Sequence, residues 1–231
     1  TDATELKSVT ATIADIEELT LALSGDNAIT LGSNDHDAIT VTGSGTLDLD
    51  GTGTAVKTFD GSAFTGNLDV NISGVTTAGQ ITSFSTGSGD DKAKIDTKGF
   101  SGSATIAGGD GNDTIEMANT ANTVKQFEMS GFETVKVTTV ANGQILSAKN
   151  WSDVEKITLM DDIAEDLTIA NMGAVSLTVE LNGAAGNDDV LSVDNTGDIT
   201  VNTVASTATA KKAGTSTATA DTNDNDVTAN S

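Results

Sequence analysis

Apolar side chains alternate with polar ones in short runs along most of the chain. Leu19, Leu21 and Leu23 form one run, Leu68, Val70 and Ile72 a second, and Leu177, Val179 and Leu181 a third. Val135-Lys-Val137 and Ile157-Thr-Leu159 are shorter copies. A period of two buries one face of a strand and leaves the other to solvent. The intervening residues are largely Thr, Asp, Asn and Ser, and β-branched Thr suits a half-exposed pleated surface. Gly, Asn and Asp sit between the runs, where turns need left-handed backbone or Asx hydrogen bonds. The pattern predicts an all-β domain of many short strands. Single helical turns are expected at Ala14–Leu19 and Ser147–Ser152, both shorter than the ~12–15 residues of a self-supporting helix. Residues 206–231 are Thr, Ala, Asn, Asp and Ser with hardly a large apolar side chain. They read as a low-complexity linker or fragment edge beside an all-β repeat domain at 1–205.

The runs repeat. Apolar-Glu-x-apolar-x-apolar occurs at Ile16–Leu21, Phe132–Val137 and Val154–Leu159, and without the Glu at Met172–Leu177. Phe-[Ser/Thr]-Gly before an alternating run occurs at Phe64–Val70 and Phe100–Ile106, and Ala-Ile-Thr-apolar within Asn27–Leu31 and Asp37–Val41. Spacings of 10, 18, 22 and 36 residues between copies suit stacked coils with strands ~4.8 Å apart along the axis. The expected fold is a parallel β-solenoid, a β-roll-like stack of short strands. The alternative is a β-sandwich whose strands recur at ~8–12 residues.

One motif carries chemistry. Residues 108–116 read Gly-Gly-Asp-Gly-Asn-Asp-Thr-Ile-Glu, which fits the calcium-binding nonapeptide G-G-x-G-x-D-x-U-x. Gly108, Gly109 and Gly111 allow a tight turn that presents carbonyl oxygens, Asp113 adds a carboxylate, and Ile115 starts the next strand. A looser copy at 86–94 carries Gly87, Gly89 and Asp91, 22 residues earlier, so Asp91 and Asp113 are expected to stack and share an ion. A third copy at 183–191 offers Gly183, Gly186 and Asp188. A fourth, at 32–40, offers Asp35 and Asp37, with His36 a solvated bystander. Thirty-four acidic against 11 basic side chains give a formal charge of -23, which repels itself in a compact chain. Calcium ions, Ca2+, between turns would offset that repulsion and link folding to the metal.

At these residues the chain resembles the RTX family of calcium-binding, type I-secreted bacterial proteins. Its Thr/Ala/Gly/Asp-rich composition and the runs Phe132–Val137 and Val154–Leu159 are similar to bacterial surface-layer (S-layer) proteins exported by that route. The resemblance implies an extracellular structural protein of the bacterial cell surface that folds on meeting calcium. It also implies assembly with copies of itself into a two-dimensional lattice anchored on surface polysaccharide. The chain has no tandem run of nonapeptides, so isolated sites are expected rather than a regular calcium roll.

Composition narrows the alternatives. No Cys excludes disulfides and thiolate metal sites, and no Arg with few Lys excludes a nucleic-acid footprint. No stretch reaches the ~18 apolar residues of a transmembrane segment. With no leader and Thr at position 1, the chain reads as an excised piece or mature fragment. One His, no Cys and no nucleophile-elbow, zinc-protease or phosphate-loop motif argue against an enzyme. A calcium-dependent adhesin module or spacer is the competing reading, and ice binding through Thr-x-Thr pairs is a weaker one because their spacing is irregular. The six Phe and Trp151 are expected to plug core ends or coil corners.

Overall fold

The computed structural model describes residues 7–11, 16–32, 36–51, 54–119, 126–140, 144–160, 167–170, 177–181, 190–194, 199–203, 209–212 and 226–230. Alternate strands fall into two parallel sheets. The first sheet, of ten strands, takes in order β1 (Lys7–Ala11), β3 (Asn27–Leu31), β5 (Thr46–Asp50), β7 (Asn67–Asn71) and β9 (Lys92–Asp96). It continues through β11 (Thr114–Asn119), β13 (Thr134–Val140), β15 (Lys156–Leu159), β17 (Leu177–Leu181) and β19 (Ile199–Thr203). The second, of six strands, contains β2 (Glu18–Ser24), β4 (Ala38–Ser44), β6 (Thr58–Phe64), β8 (Ile81–Ser85), β10 (Phe100–Ala107) and β12 (Glu128–Ser130). A third, of five, runs β14 (Gln144–Ser147), β16 (Leu167–Ala170), β18 (Val190–Asp194), β21 (Asp226–Asn230), β20 (Thr209–Lys212).

In the first two sheets each strand pairs in parallel with the strand one coil later, as Asn27 with Leu47 and Lys92 with Thr114. Cross-coil hydrogen bonds accordingly join residues 20, 22 or 23 apart. This is the expected parallel solenoid. The sandwich alternative is excluded, because sandwich sheets are antiparallel.

The period-two pattern sets which face is inside. In β5, Leu47 and Leu49 are buried while Asp48 and Asp50 are exposed, and β7 and β9 repeat the alternation. Parallel register then stacks like on like: Leu49 pairs with Val70, Val70 with Ala93, and Ala93 with Ile115. All six Phe are buried. Phe59 stacks on Phe84 with centroids 5.1 Å apart, and Phe127 lies between Phe100 at 6.0 Å and Trp151 at 5.7 Å. The aromatics therefore form ladders along the core axis as well as filling corners.

Several sequence expectations are corrected. The helical turn proposed at Ala14–Leu19 gives way to β2, whose Leu19 pairs with Ile39; Ala14 and Asp15 lie outside the described residues. Alternation outweighs helix propensity there, because a coil buries Leu19 and a lone helical turn would not. At Ser147–Ser152 the chain makes a tight turn, Trp151 N–H donating to the Ala148 carbonyl at 3.0 Å, and Trp151 then bridges to Met129. The single described helix is a 3-10 turn at Thr97–Gly99, capped by the Asp96 side chain accepting from Lys98 N–H at 2.8 Å. The two Phe-[Ser/Thr]-Gly copies are not equivalent: Phe64 ends a strand of the six-stranded sheet, whereas Phe100 begins one. The ten-residue spacing between Asn27 and Asp37 is half a coil, linking strands in different sheets. His36 is fully buried rather than solvated, with Nδ1 2.7 Å from the Ile16 carbonyl oxygen.

Candidate functional site

The turns that leave the six-stranded sheet and enter the ten-stranded one stack into a ridge along the solenoid. Glycines recur there because neighbouring turns touch through their backbones. Gly25, Gly45, Gly66, Gly89 and Gly111 form one column, and a Cβ on Gly111 would overlap the Gly89 carbonyl oxygen. Gly87 and Gly109 stand in a second column, with the same overlap. Gly111 has φ +133° and Gly109 +101°, which L side chains rarely adopt.

The predicted site residues Gly87, Gly89, Asp91, Gly108, Gly109, Gly111 and Asp113 all lie on this ridge, in adjacent coils. Gly183, Gly186 and Asp188 lie outside the described residues, as does Asp35. Asp37 makes an ion pair with Lys57 at 2.6 Å. The turn carbonyls already link coils. Gly87 O accepts from Asp110 N–H at 3.1 Å, Asp110 O from Gly89 N–H at 2.9 Å, and Gly108 O from the Thr86 hydroxyl.

The carboxylates form a relay at the inner edge of the ridge. Each occupies the position just before a strand and accepts the backbone N–H of the coil before it. Leu68 N–H donates to Asp91 Oδ1 at 2.7 Å, Asp91 N–H to Asp113 Oδ1 at 2.8 Å, and Asp113 N–H to Glu133 Oε2 at 2.7 Å. An outer relay runs the other way: Asp90 N–H donates to Asn67 Oδ1 at 3.1 Å and Asn112 N–H to Asp90 Oδ1 at 3.0 Å. One coil beyond Gly131, Asp153 accepts its N–H at 3.0 Å. Asp153 is the one positive-φ residue other than glycine among the described residues.

Asp91 and Asp113 are both buried yet differ in their donors. Asp91 Oδ2 accepts from Gly87 N–H at 3.0 Å. Asp113 Oδ2 is buried with no hydrogen-bond partner among the described residues. Burial raises the Asp91 carboxyl above its ordinary value, opposed by the N–H donors of Leu68 and Gly87 and by the Thr86 hydroxyl. Burial also raises the Asp113 carboxyl, with only the Asp91 N–H opposing it and the charges of Asp91, Glu133 and Asp90 adding to it. The carboxyl is pushed from 3.8 to about 7.

Glu133 was missed as a member of this site, although its signal was present. It is the Glu of the Phe132–Val137 repeat and lies 20 residues after Asp113. The described residues hold no group of three or more His, Cys, Asp or Glu placed to bind a metal. Any ion here would draw on carbonyls for much of its shell, as calcium commonly does. The orphaned Asp113 oxygen and the crowded carboxylates are the features that fit a cation. The chain matches no protein-family model, no curated protein and no solved structure, so its function is argued from this ridge and the solenoid that carries it.

Proposed function

We propose that the chain is a structural cell-surface protein, a calcium-stabilised solenoid module of a self-assembling bacterial surface layer. Asp113 carries the reading. A buried carboxylate oxygen without a donor is costly as an anion, and a bound cation removes that cost. Asp113 would hold the ion, with Asp91 beside it and the turn carbonyls of Gly87, Gly108 and Gly109 as the neutral oxygens. Calcium would supply charge neutralisation between coils; the residues of the chain would supply the fixed turn. The nonapeptide at 108–116 and the resemblance to RTX and S-layer proteins support the same assignment, as does an extended, repetitive fold suited to tiling.

Thermal melts in chelator and in millimolar calcium test it. The midpoint is expected to rise with calcium, and Asp113→Ala should remove most of that rise. An unchanged midpoint would overturn the calcium reading. Electron microscopy is expected to show ordered sheets that depend on calcium, whereas dispersed particles in calcium would favour a spacer or adhesin role.

A further inference from the structure

The outward face of the ten-stranded sheet is unlike the rest of this acidic molecule. Four of the chain's 11 basic residues, Lys92, Lys94, Lys136 and Lys156, stand on it. They are arranged in two rows fixed by the register. One row reads Asp48, Asp69, Lys92, Thr114, Thr134, Lys156 across β5 to β15. The other reads Asn71, Lys94, Glu116, Lys136, Thr158, Glu180 across β7 to β17, with Thr158 itself buried and donating to Glu180. Within the chain Lys94 pairs with Glu116 at 2.9 Å and Lys156 with Glu180 at 2.5 Å. No ion pair is found for Asp48 or Lys136 among the described residues. Acidic residues cluster at one end of the face, where Asp48 and Asp50 raise the Asp69 carboxyl after burial does so first.

We propose that this face binds the same face of a second copy of the chain, the two solenoids running antiparallel about a two-fold axis that lies along the strands between β9 and β11. The proposal rests on the self-assembly reading above and names the surface that would carry it. Charge complementarity under two-fold symmetry selects this arrangement. That axis sets β9 over the partner's β11, β7 over its β13 and β5 over its β15, while keeping each row over itself. Lys94 then meets the partner's Glu116, Asp48 the partner's Lys156, and Asn71 the partner's Lys136. Lys92 and Asp69 meet Thr114 and Thr134, so no like charges face each other. An isologous contact makes every such pair twice. Moving the axis to between β7 and β9 would set Asp48 over Thr114 and leave Lys156 unmatched. Two molecules of charge -23 repel over most of their surfaces, and a locally balanced face is where they can close. The eight strands from β3 to β17, at ~4.8 Å spacing and about five residues of ~3.3 Å each, give about 600 Å² per copy. The total of about 1,200 Å² sits at the lower edge of specific interfaces.

Sedimentation velocity of the whole chain in calcium at physiological salt tests the face. Wild type is expected to show a concentration-dependent dimer. Asp48→Lys sets Lys against Lys156 twice and should weaken association at least tenfold, as should Lys156→Glu. The double variant D48K/K156E restores opposite charges and should recover the dimer. Because the Lys156 change also breaks the in-chain pair with Glu180, a second readout is independent of it. The chain has no Cys, so Asp48→Cys with Lys156→Cys should form a disulfide-linked dimer under mild oxidation. A monomeric wild type, or a dimer indifferent to Asp48→Lys, would overturn the interface. If the melt still responded to calcium, the metal reading would stand without it. An unresponsive melt with the charge swap intact would leave the interface and remove the metal.

Discussion

Asp113 and Asp91 occupy equivalent places one coil apart, yet their donors and charged neighbours differ. Gly87 N–H completes the Asp91 carboxylate, and no donor among the described residues completes Asp113. Removing a donor from a buried anion costs about 1–3 kcal/mol or more, which is the sense of the raised Asp113 carboxyl. The linkage sign follows from that direction. Folded Asp113 holds its proton to about pH 7, whereas the unfolded side chain releases it near 3.8. Between these values the native state binds more protons, so stability falls as pH rises and the loss is complete above pH 7. Asp60, Asp153 and Glu180 have lowered carboxyls and act in the opposite sense, at lower pH. Denaturant melts in chelator between pH 5 and 7 should therefore show wild type weakening with pH. Asp113→Asn, which cannot ionise, should reduce that dependence, the remainder belonging to the raised Asp91 and Asp69 carboxyls. A slope unaltered by Asp113→Asn would show that the group titrates at its ordinary value.

At the scale of the coil, the sequence made the strands legible and left part of the turn chemistry hidden. Alternation at Leu68–Ile72 and Val135–Val137 named the inward faces correctly, because in a parallel stack each buried position is answered by another one coil away. The 22-residue spacing of the two nonapeptide-like turns likewise put Asp91 beside Asp113. Residue identity alone misled where a motif recurs in a different role. Phe64 and Phe100 share a local motif but close and open strands respectively, and half-coil spacing made β3 and β4 look like one repeat. His36 stands between Asp35 and Asp37 in the sequence, yet its side chain is buried against the Ile16 carbonyl one coil away. The glycines are a further case. Read as donors of carbonyls to an ion, they are also required sterically, since a Cβ on Gly111 meets the backbone of Gly89. Gly111→Ala should cost more than about 2 kcal/mol, from overlap and from its positive φ together. Gly102→Ala is the control, since its Cβ would meet nothing within 4 Å, and should change stability by less than about 0.5 kcal/mol. Equal effects in chemical denaturation would show that the ridge does not depend on close backbone contact.

For the molecule as a whole, the decisive property is that almost every interaction joins one coil to the next. The first two sheets, the relay Leu68–Asp91–Asp113–Glu133 and the stack Phe100–Phe127–Trp151 are all nearest-neighbour links along one axis. Stability in such a stack is close to a sum of coil terms and interface terms, and cooperativity depends on the weakest interface. Phe127 is fully buried and touches aromatic rings on both sides, so Phe127→Ala opens a cavity at one junction and leaves the distant coils untouched. Its cost should be about 3–5 kcal/mol, concentrated between β10 and β15. The chain has one tryptophan, and Trp151 stacks on Phe127 with an interplanar angle of 22°, so its fluorescence reports that junction alone. In wild type the fluorescence and circular-dichroism transitions should coincide. In Phe127→Ala the fluorescence transition should move to lower denaturant, while most of the β-sheet signal unfolds near its original midpoint. Amide exchange should agree, with protection lost around β12 and β13 and retained in β3 to β7, where Leu47, Leu49, Leu68 and Val70 form an intact core. If both probes shifted together by the full amount, the coils would be folding as one unit, and the nearest-neighbour account of this solenoid would be wrong.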